Sequence, residues 1–398
     1  MTVNNRIGWF AGFLVLYETA CWLAMDAYTP ALPSIMNSFD VGFRAVQLTI
    51  ALWMAGGLLP QIVIGPCSDH FGRKPVLLVG AGLFIVTSFA CAFAQSFPQF
   101  VIARFFQGMV IPTMIIAGYA AVHELCNQQQ AIQLIARMQS VTLLAPSIGP
   151  LLGGVILFYT SWHWIFIGLG VWTIVITIGL KTVMPESLPV EQRSSQLNII
   201  QSFKQYRFCI NNRIFMFYTL AICGLLAIIV IWISASPLLI IGHFHYSTLQ
   251  FGISQAVVFA AFIIGTKLIG YLSKQHTQYH LATRYGSLIV VIGGFTCLIS
   301  SLIFRDQLLA IIISLTILML GSGICFSVFM RLAIDSSSET MGIKMGLISF
   351  FETLTATLSS IVVIVFYHNT TLSLAVLIVI SSLIPIFTIP FLARLQAH

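Results

Sequence analysis

The sequence predicts an all-α polytopic membrane protein with twelve transmembrane helices arranged as two six-helix bundles. Three observations predict it. Of 398 residues, 58% are hydrophobic and only 7% are charged, whereas a soluble domain carries roughly 25% charged residues. The apolar residues fall in continuous runs of about twenty, the length an α-helix needs to cross a bilayer, and not in the alternating segments of a membrane β-barrel. One polar stretch, Met184 to Arg213, divides these runs six and six.

The runs lie at about 9–34, 44–66, 75–95, 98–122, 131–158, 162–183, 214–239, 248–273, 283–304, 307–331, 343–367 and 370–393. Turn signals such as Gln95-Ser96-Phe97-Pro98 and His368-Asn369-Thr370 separate them. The first run holds Glu18 and Asp26 and passes Pro33, so it reads as a span and not as a cleaved signal sequence. The fifth holds Pro146, Gly149, Pro150, Gly153 and Gly154. Prolines remove backbone donors and bend helices, and small residues four apart admit a neighbouring helix. A tight, bent interface between the halves is expected there. The predicted organisation is an N-terminal bundle over 1–183, a cytoplasmic linker over 184–213 and a C-terminal bundle over 214–398. Secondary transporters built from repeats share this plan, with substrate bound between the halves near the midplane.

The charges that remain are placed selectively. The net charge of +7 comes from 18 Lys and Arg scattered in ones and twos, without the basic stripe that nucleic acid requires. With both termini in the cytoplasm, thirteen of them fall on the inner side and two, Arg44 and Arg305, on the outer side, as the positive-inside rule demands. This predicts a multi-pass protein of a bacterial-type inner membrane. Eight cysteines stand singly with no CxxC pair, which predicts reduced thiols, no metal site and no cofactor. A GxxxxGK[ST] phosphate loop is missing from the sequence, which argues against ATP as the energy source.

Glu18 and Asp26 lie inside the first run. A charge at the bilayer centre costs at least ~2.5–3.5 kcal/mol, and it persists mainly where it faces a cavity and works. Eight residues of helix separate the two by about 12 Å of rise and about 80° of rotation, with Trp22 between them. A carboxyl that exchanges a proton with its surroundings holds either the proton or a cationic substrate, and that competition is the physical core of antiport. Protons are therefore the expected coupling ion. Arg104 in the fourth run needs a carboxylate or carbonyl partner in lipid and is placed to sense the state of those acids. Asp69, Arg73 and Lys74 sit at a turn with Gly65 and Gly72, and Glu124 at the end of the fourth run is placed to pair with Arg73. Such a cluster can latch one side of a carrier. Lys267 and Glu352 are further intramembrane charges, read either as a mutual pair or as cavity groups. Trp22, Trp53, Tyr119, Trp232 and Phe351 offer aromatic faces to a flat or cationic ligand.

These residues resemble the major facilitator superfamily, and within it the twelve-helix drug/proton antiporters. Gly65-Pro-Cys-Ser-Asp-His-Phe-Gly-Arg-Lys74 is similar to the loop motif between that superfamily's second and third helices. Arg104-Phe-Phe-Gln-Gly108 is similar to its fourth-helix motif, and Ala145-Pro-Ser-Ile-Gly-Pro-Leu-Leu-Gly-Gly154 to the fifth-helix motif of its antiporters. Leu14-Val-Leu-Tyr-Glu18 followed by Asp26 resembles the first helix of its multidrug members. Cys67 and His70 depart from the loop motif, and Trp22 stands where a multidrug member carries tyrosine. The resemblance implies export of lipophilic or cationic drugs. Glu18 and Asp26 would be the proton and substrate acids, with Arg104 coupled to them. Trp53, Met54, Gln107, Tyr119 and Pro146 would border the substrate cavity, with Trp22, Trp232, Lys267 and Glu352. Gly65, Asp69, Gly72, Arg73, Lys74 and Glu124 would form a cytoplasmic gate. The implied partners are a small-molecule substrate, protons and the lipid bilayer, with the chain a monomer. An extra cavity cation such as Lys267 would favour a specific metabolite, for example a siderophore or an organic acid. A membrane-embedded transferase would need a nucleophile with a base beside it, and His163, His243 and His245 fall on outer loops without an obvious partner.

Overall fold

The computed structural model describes residues 3–126, 128–189, 191, 193, 206–272, 279–304, 307–337, 339, 341–368 and 370–396, and among these no strand occurs. Eleven helical segments are long and apolar enough to cross a membrane. The helix Gln128–Tyr159 supplies a twelfth: its 32 residues extend about 48 Å at 1.5 Å per residue. The chain divides into two compact units, Met1–Ile199 and Ile200–His398. Residues 190, 192 and 194–205 of the segment 184–213, expected as a linker, lie outside the described residues, as do Lys274 and Arg305.

In the first unit the spans are α1 (Val3–Asp26) continued by α2 (Leu32–Ser38), α3 (Phe43–Gly56) with α4 (Leu58–Phe71), α5 (Arg73–Ala92), α6 (Phe97–Gly108) with α7 (Tyr119–Leu125), α8 (Gln128–Tyr159) and α9 (His163–Val183). α1 packs against α8 and α9, α5 against α6 and α9, and α3 against α6.

The first span is not the continuous helix that its apolar run suggests. α1 ends at Asp26, a 3₁₀ turn covers Thr29–Ala31, and α2 resumes at Leu32. The cause is chemical. Pro30 has no N–H to give the carbonyl four residues back, which belongs to Asp26. The Thr29 hydroxyl donates to that carbonyl instead, at 2.8 Å. Pro33 withholds a donor from the Thr29 carbonyl in the same way, and the Leu32 N–H takes its place. The fourth span is interrupted likewise: Pro112 withdraws the donor of Gly108, and a π-helical segment, Thr113–Gly118, precedes α7. Such segments inside helices often mark functional positions.

The second unit contains α10 (Arg213–Pro237), α11 (Thr248–Leu272), α12 (Tyr279–Ile303), α13 (Leu308–Asp335), α14 (Met341–Phe366) and α15 (Thr371–Gln396). Asn212 caps α10, its side-chain oxygen accepting from the Phe215 N–H at 3.1 Å. α13 packs on α11 and α12, α15 on α10 and α12, and α14 on α10. α10 ends in a π-helical segment, Leu238–His243, directly after Pro237. Each unit therefore opens with a proline-interrupted span. Interruptions at corresponding places in two halves of a transporter are a pointer to the substrate site, because they free backbone groups and make room.

Candidate functional site

Glu18 lies on α1, buried to 1% exposure. Its Oε1 accepts hydrogen bonds from the Thr142 hydroxyl at 3.0 Å and the Tyr119 hydroxyl at 3.2 Å. Its Oε2 is buried with no partner. The Trp22 indole, one turn further along, stands beside the same carboxyl. Buried polar atoms are nearly always satisfied, so an open carboxyl oxygen is a place for a proton or a ligand cation.

Asp26 is buried at the point where α1 breaks. It is covered by the fifth span. A Cβ placed on Gly149 would collide with the Asp26 side chain, and one on Gly153 with the Ala27 carbonyl. The tight packing expected of these glycines across the halves is thus made with the first span of their own unit. Pro146, half-buried, lies on the same helix. Among the described residues, neither Glu18 nor Asp26 forms an ion pair.

Arg104 is fully buried on α6. Its Nη1 donates to the Ala24 carbonyl at 2.9 Å, at the last turn of α1 before the break, and also to Gln107 Oε1. Gln107 Nε2 in turn donates to the Ser88 hydroxyl at 2.9 Å. The guanidinium lies over the Tyr28 ring at 4.1 Å from its centroid, with Trp53 at 5.5 Å and Phe166 at 5.7 Å. Aromatic faces attract a desolvated cation, which is how a charge survives here without a carboxylate. Of the two partners open to it in the sequence, Arg104 takes the carbonyl. It holds the segment that carries Asp26 through the backbone. Met54, half-buried, follows Trp53 on α3.

A second cluster occupies the turn between α4 and α5. Arg73 Nη2 pairs with Glu124 Oε1 at 2.9 Å, and its Nη1 reaches Asp69 and the Ser68 hydroxyl. The Ser187 hydroxyl donates to Glu124 Oε2 at 2.6 Å. Glu186 Oε1 accepts from the Arg73 N–H at 2.9 Å and from the Ser187 N–H at 3.0 Å. The Lys74 ammonium donates to the carbonyls of Lys181 at 2.9 Å and Met184, at the end of α9 where carbonyls lack helical partners. Gly72 makes this closure possible. Its φ is +100°, and a side chain there would strike the Glu186 carboxylate. Gly65, half-buried in α4, faces open space.

In the second unit Trp232 is fully buried; its Nε1 donates to Gln255 Oε1 at 2.9 Å, and Gln255 Nε2 donates to the Ser236 hydroxyl at 3.0 Å. Lys267 is exposed on α11 and Glu352 half-buried on α14. No ion pair joins them among the described residues. Thr142, Tyr28, Phe166 and Ser187 had no individual signal in the sequence, and Glu186 was read only as closing the sixth span. Each is joined to the site by a partner distant in the sequence.

These groups sit on an all-helical scaffold of apolar spans, and the family model described as Major Facilitator Superfamily matches residues 9–360 of the chain. The chain belongs to the major facilitator superfamily. It is similar to the multidrug transporter MdfA of Yersinia pestis bv. Antiqua, at 30% identity over 84% of this chain and 82% of the relative. It is also similar to the chloramphenicol resistance protein CraA of Acinetobacter baumannii, at 30% identity over 85% and 81%. Among solved structures, a D-xylose–proton symporter shares the fold with a TM-score of 0.73 at 16% identity, over 96% of both chains. As a major facilitator protein the chain is a multi-pass membrane transporter.

Proposed function

We propose that this chain exports small molecules, chiefly lipophilic or cationic drugs, by exchanging them for protons across the inner membrane, as a monomer with both termini in the cytoplasm. The observation that carries the reading is the presence of two buried carboxyls in one span with no cationic partner among the described residues. An acid so placed is stable either with a proton or with a cationic substrate, and those are the two states an antiporter alternates between. The printed names of the relatives, multidrug transporter and chloramphenicol resistance protein, support drugs as the substrate class.

In the cycle, substrate leaves as external protons neutralise Glu18 or Asp26, and the neutral site returns inward. Proton loss to the cytoplasm restores the acid. Arg104, bonded to the Ala24 carbonyl, relays strain at the Asp26 break to α6. Asp69, Arg73, Lys74 and Glu124 act as the cytoplasmic gate, whose ion pairs are made in one state and released in the other. The test is uptake of lipophilic cations into inside-out vesicles under an imposed proton gradient. Wild type accumulates the cation; Glu18→Gln/Asp26→Asn, neutral at both positions like the protonated site, does not. Accumulation by the double variant at the wild-type rate would overturn the reading.

A further inference from the structure

Glu352 is a carboxyl that the pair on α1 does not account for. It sits in the middle of α14, within the apolar span Ile343–Phe366, and is half-buried. A charge at such depth is retained only where it is used or compensated. Compensation is missing. Among the described residues, no Lys, Arg or His lies within ion-pair distance of Glu352, and no side chain donates a hydrogen bond to it. Lys267, the nearest candidate by sequence reading, is exposed on α11. Lys344, on the same helix as Glu352, is committed to the carbonyls of Ile334 and Ser337 at 2.8 and 3.0 Å.

Uncharged polar residues share the face of α14 with Glu352. Buried Cys223 lies on α10, the helix packed against α14. Ser349, Thr355 and Ser359 lie three residues before, three after and seven after Glu352, the spacing of one helical face. Further along the same two helices the Ser234 and Ser360 hydroxyls meet at 3.5 Å. The carboxyl thus shares a hydroxyl-bearing helix face that can solvate a proton or an organic cation, and it forms no ion pair among the described residues.

We infer that Glu352 is a third exchanging carboxyl. In each cycle it binds one proton on one side of the membrane and surrenders it on the other, its place being taken by an organic cation, so that it adds one proton to the number exchanged per substrate. The inference rests on the antiport reading above. It separates from that reading because Glu18 and Asp26 belong to the other unit and remain in place when Glu352 is changed.

The experiment uses purified full-length protein in liposomes, with membrane potential clamped at zero by potassium and valinomycin and tetraphenylphosphonium as the cation. At equilibrium the slope of the logarithm of cation accumulation against the imposed pH difference equals the protons exchanged per cation. Glu352→Gln lowers that slope by about one proton by linkage, and Glu352→Asp restores it. A parallel measurement counts protons released when the cation is added to protein in detergent, which needs binding only; there Glu352→Gln again releases about one proton fewer. An unchanged slope in Glu352→Gln, or equal proton release in both proteins, overturns the inference and leaves antiport by Glu18 and Asp26 standing. Failure of the wild type to accumulate the cation at all sinks the antiport reading and this inference with it.

Discussion

Replacing Arg104 by lysine keeps the charge and removes the shape. In the wild type one planar guanidinium donates to the Ala24 carbonyl at 2.9 Å while lying 4.1 Å from the Tyr28 ring centroid. A lysine ammonium is a compact point charge on a flexible stem and does not reproduce a stacked, planar fork. Either the carbonyl bond or the seat over Tyr28 is given up. A hydrogen bond from a charged group contributes roughly 1.5–3 kcal/mol, and a desolvated cation–π contact about 2 kcal/mol. Loss of one of them weakens the hold of α6 on the end of α1 by about 2 kcal/mol, or roughly thirty-fold in the equilibrium between held and released states. Hydrogen exchange of peptides spanning residues 24–32 reports that equilibrium, and proton-driven cation uptake reports its use. Arg104→Lys should exchange faster in that segment and transport more slowly, while peptides from α12 and α13 remain unaffected. Wild-type exchange and wild-type uptake in Arg104→Lys would refute the argument that Arg104 restrains the Asp26 break.

Two substitutions probe backbone fit. Gly149→Ala inserts a methyl against Asp26; overpacking of this kind costs typically ~1–3 kcal/mol, so the variant should melt at lower temperature and lose transport, and an unshifted melting curve would contradict the contact. Gly72→Ala forces a side chain into a conformation reserved for glycine, with φ at +100°, a strain of order 1–3 kcal/mol. It should raise proteolytic access near Glu186, and unchanged cleavage there would show that the turn tolerates a Cβ.

The spans were legible because lipid imposes one requirement, a long apolar helix, and eleven of the runs meet it among the described residues. The contact of Arg73 with Glu124 was also within reach of the sequence, since opposite charges at the ends of neighbouring spans have few other partners. The break at Asp26 was not read, although its signal was present in Pro30 and Pro33: hydropathy counts a proline-interrupted span as one run, and only the missing donors reveal the interruption. The aromatic seat of Arg104 was out of reach for a different reason. Tyr28, Trp53 and Phe166 are contributed by separate parts of the chain, and no local pattern distinguishes them from aromatic residues facing lipid. Glu186 and Ser187 gave no sign of their part in the turn cluster, because their partners lie 113 and 63 positions away.

That last separation bears on how the chain is made. The bonds from Arg73 to Glu186 and from Lys74 to the carbonyls of Lys181 and Met184 join the start of the third span to the last turn of the sixth and the residues that follow it. Domains form largely in the order of synthesis, and a ribosome must have passed Ser187 before the staple has both ends. Until then α5 has inserted without its final restraint, and Arg73 carries an unfinished set of partners. A nascent chain stalled before Met184 should therefore be more accessible to protease at the turn between α4 and α5 than one extended past Arg193, which makes those few residues the closing stitch of the first unit's biogenesis.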